Sequence, residues 1–322
     1  MKFWVKVILC LSITLTISSL LIYCYFETMQ PFQSEEIPIL VTPNKDVENG
    51  DSEEAPGLEY FTQKQLNSFN VLLLGIDNWD NELSRTDLMM LINVDTTNKQ
   101  ISIISIPRDT RVEIPDVGYT KINHAHLIGE TKGGNKGGTE LALQTTSDFF
   151  QTMIHYYVKV DIEGFINFID SIGGIEIELT RPVKLSHIDV TLPMGKQNID
   201  GNLAFNLVRE RYSMADGDFG RQKNHYLVLN ALAYKLLSPG YLTKLPELIK
   251  SARKEIVDTN FKDIELISLA WLLKGLTKEN INYVQIPGRS EYHADPLIKA
   301  TLYYWVPNMD KVNEIAAQYL NN

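Results

Sequence analysis

The sequence predicts an α/β fold, an α-β-α sandwich with a central mixed sheet, preceded by one N-terminal transmembrane helix. Three observations lead to this prediction. An uncharged apolar run opens the chain, and after residue 60 apolar runs of strand length alternate with segments of helical periodicity. No Pro- or Ser-rich linker interrupts that second part, which favours a single domain. Apolar residues make up 44% of the 322 residues, enough to build a sizeable core.

The apolar run at residues 7–26 holds no charged side chain. A helix of that length rises about 30 Å, which matches the hydrocarbon core of a bilayer. Lys2 and Lys6 precede the run and Glu27 follows it, so the positive-inside rule places residues 1–6 in the cytoplasm. We therefore predict a single-pass protein of the cell membrane whose folded part is extracellular. A cleaved signal peptide is the alternative, but the run is long for one and lacks a small-residue cleavage site.

The composition after the anchor separates a spacer from a folded domain. Residues 27–60 contain four prolines and many acidic side chains, which predicts an acidic extracellular spacer. Residues 61–322 are predicted to form the folded, catalytic domain. Cys10 and Cys24 both lie in the apolar run, so this domain has neither a disulfide framework nor a cysteine zinc site. The net charge of -10 argues against nucleic acid as a partner.

Three apolar runs predict the first strands of the sheet, at residues 70–77, 88–95 and 100–107. Pro107 ends the third strand because proline cannot donate to a ladder. The stretch 116–139 is rich in Gly, Lys and Asn and is predicted to be a long loop. Further strands are predicted at 157–162, 175–179 and 282–286, and helices at 141–155, 165–172, 202–212, 221–238, 245–255, 262–275 and 309–320.

Arginines and aspartates recur together in three short segments, at 75–87, 105–110 and 208–221. Arginine suits planar, bidentate recognition of phosphate, and ligands of α/β sheets bind beyond the carboxyl ends of strands. Asp77 and Arg108 each follow a predicted strand, and Asp77 and Asp87 can share one Mg²⁺ with phosphate oxygens. Taken singly, each arginine is more typical of a surface ion pair, and each aspartate of a loop cap.

Several motifs resemble the LytR-CpsA-Psr family, whose members lie on the surface of Gram-positive bacteria. The matching segments, in order, are LLLGID (72–77), SRTD (84–87), SIPRDT (105–110), KINHAH (121–126), GFINFIDSIGGIEIEL (164–179), IDGNLAFNLVRERY (199–212) and DGDFGRQ (216–222). The order and spacing of these segments are specific, although no single one would be.

The resemblance implies an enzyme that moves a glycopolymer, of the teichoic acid or capsule type, from an undecaprenyl-diphosphate carrier onto a peptidoglycan hydroxyl. Such phosphoryl transfer depends on charge neutralisation and in-line positioning more than on a protein nucleophile. In agreement, the sequence shows no Ser-His-Asp, Cys-His or HExxH arrangement. The partners implied are the lipid-linked glycopolymer, peptidoglycan and the cytoplasmic membrane.

The resemblance also implies roles for individual residues. Asp77 and Asp87 are expected to hold Mg²⁺, and Asp218 to orient arginines or assist proton transfer. The arginines expected to clamp the diphosphate are Arg85, Arg108, Arg209, Arg211 and Arg221. All of them except Arg85 are also expected to act in catalysis. His225 is expected to bind lipid phosphate where many members carry Gln, and Trp79 stands where many carry Arg. The residues do not identify the base for the incoming hydroxyl.

Two other functions stay open at the level of sequence. A polyprenyl-diphosphate phosphatase would use the same residues with water in place of the acceptor. A non-catalytic, lipid-binding regulator of the envelope is the second alternative, since relatives have been labelled transcriptional attenuators.

Overall fold

The computed structural model describes residues 67–77, 83–211, 218–242, 244–274 and 276–320. No helix within these ranges is long and apolar enough to cross a membrane. The apolar run at 7–26 and the spacer at 27–60 lie outside the described residues. The anchor and its orientation therefore stay predictions.

A six-stranded mixed sheet forms the centre of the fold. Its strands, from one edge to the other, are β11 (Ile256–Thr259), β6 (Tyr156–Asp161), β1 (Ser68–Ile76), β2 (Thr86–Asp95), β3 (Gln100–Ser105) and β12 (Ile281–Gln285). β1 runs parallel to β6 and β3 parallel to β12, whereas β2 and β11 are antiparallel to their neighbours. The carboxyl ends of β1, β3, β6 and β12 therefore share one end of the sheet with the amino end of β2. The predicted central mixed sheet is confirmed.

Aliphatic side chains of neighbouring strands meet on the first face of this sheet. Leu72 lies opposite Leu91, and Leu91 lies opposite Ile104, with all three fully buried. Helices α1 (His124–Phe150) and α8 (Met309–Tyr319) cover this face. Each fully buried side chain of this kind contributes roughly 1.5–3 kcal/mol, so this face anchors the strands that carry the motif residues.

The second face of the sheet is covered less completely. Tyr156 stacks on Phe261 with ring centroids 4.2 Å apart, beside helix α7 (Asp263–Leu272). Leu73, Ile92 and Val158 on this face remain partly exposed. Apolar surface is therefore accessible between the sheet and its covering helices.

A second hydrophobic core lies beside the sheet. It joins α2 (Ile162–Ser171), α3 (Gly201–Arg209) and α4 (Asp218–Leu236) to four short strands. These strands are β7 (Ile175–Leu179), β8 (Val183–Leu185), β9 (Val190–Leu192) and β10 (Gly195–Ile199). The side chains of β7 alternate between buried and exposed, as its sequence predicts. The short helix α5 (Pro239–Leu242) and α6 (Leu245–Glu255) lead from α4 back to the sheet.

The prediction of a long loop at 116–139 is wrong. Residues 124–139 belong to α1, which is interrupted only at Gly133 and Gly134, where φ and ψ are not helical. The two halves of α1 pack closely, since a Cβ on Gly129 would lie 2.1 Å from the carbonyl oxygen of Gly137. The glycines therefore permit a close helix–helix contact, whereas the glycine-rich composition by itself predicts a loop.

Two hairpins were not indicated by the sequence pattern. β4 (Arg111–Ile114) pairs with β5 (Gly118–Lys121), and β13 (Gly288–Ala294) pairs with β14 (Thr301–Pro307). The amide of Trp305 donates to the carbonyl of Asp109 at 2.9 Å, which ties the C-terminal hairpin to the loop after β3. Residues from the last tenth of the chain are thereby brought beside the sheet end that carries the motifs.

Candidate active site

Four of the predicted site residues meet at the shared end of the sheet. Asp77 follows β1, Asp87 is the second residue of β2, and Arg108 lies in the loop after β3. Together with Arg85 they line a cavity of about 120 Å³. The other lining residues are Asp109, Lys121, Asn123 and His124.

Asp77 closes the loop between β1 and β2. Its Oδ1 accepts a hydrogen bond from the backbone N–H of Arg85 at 2.6 Å, and its own N–H donates to the Arg85 carbonyl at 3.1 Å. Burial raises the pKa of the Asp77 carboxyl, and the nearby carboxylate of Asp87 raises it further. Two carboxylates that repel each other form a place where a cation would be stabilised.

The charges on the cavity wall balance. Arg108 Nη1 lies 2.5 Å from Asp87 Oδ1, and Lys121 Nζ lies 2.7 Å from Asp109 Oδ1. The wall carries three acidic side chains and three basic ones, so its formal charge is zero. A bound Mg²⁺ would bring the site to +2, which matches the two ionised oxygens of a diphosphate diester.

The amino end of α1 faces the same cavity. Asn123 is the N-cap residue and His124 is the first residue of the helix, and both line the cavity. The backbone N–H of Asn123 donates to the Arg108 carbonyl at 3.2 Å, which holds the helix end against the loop after β3. The partial positive charge of a helix amino end favours an anion at this position.

A buried polar network supports the loop that carries Arg85. Glu130 Oε2 accepts hydrogen bonds from the Ser84 backbone N–H at 2.7 Å and from Ser84 Oγ at 3.0 Å. His126 Nδ1 lies 3.1 Å from the Ser84 carbonyl, and its Nε2 lies 3.4 Å from Lys159 Nζ. Because a carbonyl only accepts, Nδ1 carries the proton and Nε2 accepts from the buried lysine.

Arg221 and His225 lie on α4, and both are buried. His225 Nε2 is 2.9 Å from the Val208 carbonyl oxygen, so this nitrogen donates. Burial and the positive charge of Arg221 lower the pKa of His225 to about 3, and Arg108 acts in the same direction. The hydrogen bond to Val208 and the carboxylate of Asp87 raise this pKa. The two residues therefore lie close to the cavity, although neither is part of its lining.

Arg209 and Arg211 are not among the residues that line the cavity. Arg209, at the end of α3, is exposed and its guanidinium carbon lies 5.3 Å from the centre of the Phe205 ring. Arg211 is exposed as well. Asp218 begins α4, but its side chain is not described, and Trp79 lies outside the described residues. The roles of these residues stay predictions.

Four lining residues are not among the sequence-predicted site residues, although they follow motif residues directly. Asp109 comes after Arg108, and Lys121, Asn123 and His124 belong to the KINHAH segment. The signal that points to these four residues is that they belong to the SIPRDT and KINHAH segments.

The carboxylates of Asp77 and Asp87 suit Mg²⁺ better than they suit a metal ion whose ligands all come from the protein. No group of three or more potential metal-binding side chains occurs among the residues that the structure describes. Mg²⁺ is usually held by one or two carboxylates together with water and substrate phosphates, as Asp77 and Asp87 would allow. These two residues would hold the ion, which would neutralise phosphate charge when bound.

The fold matches that of solved structures of known proteins. The crystal structure of B. subtilis TagV superimposes with a TM-score of 0.66 at 28% identity, covering 79% of this chain and 98% of that one. A structure of TagT bound to LI-WTA gives a TM-score of 0.63 at 25% identity, over 79% of this chain and 89% of that one.

Sequence comparison identifies the family. The polyisoprenyl-teichoic acid–peptidoglycan teichoic acid transferase TagU of Oceanobacillus iheyensis is 31% identical over 258 residues, which is 79% of this chain and 76% of that protein. The model of the LytR_cpsA_psr family matches residues 40–320. The chain belongs to the LytR_cpsA_psr family, as its motifs predict.

Proposed function

We propose that the protein is a phosphotransferase that moves a glycopolymer of the teichoic acid type from an undecaprenyl-diphosphate carrier onto a peptidoglycan hydroxyl, with Mg²⁺ as cofactor. The observation that carries the proposal is the cavity in which Arg85, Arg108 and Lys121 face Asp77 and Asp87. Relatives that match three quarters or more of the chain are named as teichoic acid transferases, which supports the same reaction class.

The cavity suits a diphosphate because its cationic groups are held in place before the substrate arrives. Arg108 is oriented by Asp87, and Lys121 by Asp109. Preorganised cations of this kind stabilise the charge that develops on the phosphoryl oxygens in the transition state. Arg108 and Arg85 would bind the phosphoryl oxygens, and Asp77 and Asp87 would hold the metal between them and the substrate.

The incompletely covered face of the sheet supports a hydrocarbon carrier. Leu73, Ile92 and Val158 are partly exposed there, and half-buried leucines of α7 lie beside them. Apolar surface next to a phosphate-binding cavity is the combination that a polyprenyl diphosphate requires. A domain tethered by residues 7–26 at the outer surface of the membrane would meet this lipid and peptidoglycan together.

The test is transfer by the full chain purified in detergent. The donor is a glycopolymer linked through diphosphate to a short polyprenyl chain, and the acceptor is a peptidoglycan oligosaccharide. We expect polyprenyl phosphate and a polymer–peptidoglycan phosphodiester in equal amounts, both dependent on Mg²⁺ and detected by mass spectrometry. Absence of the phosphodiester when donor, acceptor and Mg²⁺ are all present would overturn the proposal.

The same assay separates the two alternatives. Release of polyprenyl phosphate at an equal rate with and without acceptor, and with no conjugate, would identify a phosphatase. Tight binding of the donor without any turnover would identify a non-catalytic lipid-binding protein. Either result would replace the transferase assignment.

A further inference from the structure

One histidine on the cavity wall has no role in the scheme above. His124 begins α1 and is only 4% exposed, yet it lines the cavity with Arg85 and Arg108. Its Nδ1 lies 2.8 Å from Thr120 Oγ1, and Thr120 is not part of the cavity wall. Nε2 is therefore the ring nitrogen that is available to a group inside the cavity.

The direction of the His124–Thr120 hydrogen bond follows from Asp295. Its Oδ2 accepts hydrogen bonds from Thr120 Oγ1 at 2.7 Å and from the Tyr304 hydroxyl at 2.5 Å, and its Oδ1 accepts two backbone N–H groups of the following turn. Burial raises the pKa of Asp295, but the hydrogen bonds outweigh it and leave this pKa below its ordinary value. The carboxylate is thus ionised and can only accept.

Threonine has a single hydroxyl proton, and in Thr120 that proton is directed at Asp295. The threonine oxygen must then accept from His124, so Nδ1 of the imidazole carries the proton. In this tautomer Nε2 carries a lone pair. Asp295 and Thr120 act together to select the tautomer, although they lie 175 residues apart in sequence.

The three carboxylates on the cavity wall are already engaged. Asp87 pairs with Arg108, Asp109 pairs with Lys121, and Asp77 accepts from the backbone of the next motif. No hydrogen-bond partner of His124 Nε2 occurs within the described part of the chain. Apart from Asp77, which is the proposed metal ligand, His124 is therefore the group on the cavity wall that can take a proton without first breaking an ion pair.

We propose that His124 is the general base that accepts the proton of the incoming peptidoglycan hydroxyl, an inference that rests on the proposed transferase function. In this step the hydroxyl oxygen forms the new P–O bond and its proton moves to Nε2. The bridging P–O bond breaks, and its electron pair leaves with the polyprenyl phosphate. Asp295 stabilises the resulting imidazolium through Thr120, in the way that an orienting carboxylate supports a catalytic histidine.

Burial keeps His124 neutral before the substrate binds. Burial lowers the pKa of His124 to about 4, Asp295 and Asp109 raise it, and Arg85 and Lys121 lower it. An entering diphosphate pairs with the two basic side chains and adds negative charge, so it raises the pKa of the imidazole. The base therefore becomes stronger when the substrate is in place.

The first experiment compares wild type with His124→Gln in the full chain. We expect kcat to fall by about 10²–10⁴-fold with little change in KM for the lipid donor, because the base acts in the transition state and not in donor binding. The acid limb of the pH–kcat profile should disappear. His187→Gln, a change at an exposed histidine in the turn between β8 and β9, serves as the matched control and should behave as wild type.

The second experiment leaves the imidazole in place and changes its partner. Thr120→Val removes the hydroxyl, so we expect a lower kcat and, by ¹⁵N NMR, a shift from the Nδ1–H tautomer to a mixture. Thr120→Ser restores the hydroxyl and should restore both the tautomer and kcat. A purely structural role for Thr120 would change stability without changing the tautomer.

The outcomes separate this inference from the function on which it rests. If wild type forms no phosphodiester, both fall. If wild type transfers polymer while His124→Gln keeps its kcat and its acid limb, only the assignment of His124 is overturned. If His124→Gln does not fold, the Thr120→Val and Thr120→Ser pair decides, and an unchanged tautomer in Thr120→Val overturns the assignment.

Discussion

Replacing Arg108 by alanine tests whether the cavity acts through preorganised charge. The change removes a guanidinium that lies 2.5 Å from Asp87, in a pair whose side chains are 23% and 43% exposed. Partly exposed ion pairs contribute at most about 1 kcal/mol to stability. For a folded part of about 250 residues this corresponds to a shift in Tm of roughly 2–4 °C at most. The variant should therefore fold.

The catalytic cost of the same change is larger. Removing one preorganised donor to a developing oxyanion lowers kcat by about 10²–10³-fold, or roughly 3–4 kcal/mol. The loss in transition-state stabilisation thus exceeds the loss in folding stability severalfold. Arg108→Lys keeps the charge but loses the planar fork, so its kcat should lie between those of wild type and Arg108→Ala.

The assay measures release of polyprenyl phosphate and, in parallel, Tm by differential scanning calorimetry. Arg289→Ala is the matched control, because Arg289 is also paired with a carboxylate, Glu291, but is 75% exposed and away from the cavity lining. It should keep the wild-type kcat. The reasoning is refuted if Arg108→Ala turns over within about threefold of wild type, since the expected loss is at least about 10²-fold.

Three further predictions concern the metal, pH and packing. Chelation of Mg²⁺ should stop turnover. In a metal titration, Asp87→Asn should raise the Mg²⁺ concentration for half-maximal activity about 10–100-fold, because a charged ligand is lost. An unchanged Mg²⁺ concentration for half-maximal activity would argue against a metal at Asp87. Burial lowers the pKa of His155 to about 4, below its ordinary value of 6.5. The neutral imidazole therefore makes its full contribution to the free energy of unfolding above pH 6.5. This contribution is lost as pH falls from 6.5 towards 4, by up to about 1.4 kcal/mol per pH unit. Urea unfolding of His155→Asn should then show a shallower pH dependence than wild type, and equal slopes would contradict the assignment. Gly201→Ala would place a Cβ 2.2 Å from the carbonyl oxygen of Ile166, so it should lower the free energy of unfolding by about 1–3 kcal/mol in a chemical denaturation experiment. The control is Gly240→Ala, whose Cβ would meet nothing within 4 Å, and it should leave the free energy of unfolding unchanged or raise it slightly.

Local signals in the sequence were sufficient for the central strands and part of the site. The apolar runs at β1, β2 and β3 predicted the strands, because a buried strand must be apolar on both faces. Asp77 and Arg108 follow two of these strands, whose carboxyl ends meet at the same end of the sheet. Because ligands bind at such an end, the sequence alone predicts that these two residues lie together.

Composition misled where a contact between helices decides the structure. The glycines of 129–138 read as a loop because glycine is weak in isolated helices. In the folded chain Gly129 and Gly137 allow the two halves of α1 to contact each other closely. This contact stabilises the helix, but it exists only in the tertiary structure. The role of Arg209 as a phosphate ligand stays a prediction, and its guanidinium carbon lies 5.3 Å from the centre of the Phe205 ring.

The sequence by itself determined the family and the first three strands of the central sheet, because these depend on residue type and short-range pattern. Only the tertiary structure decided which protonation form His124 adopts. That form depends on Thr120 and on Asp295, which the C-terminal hairpin delivers from the far end of the chain. Hydrogen bonds between residues so distant in sequence leave no periodic signal, since they arise from the packing of one hairpin against another.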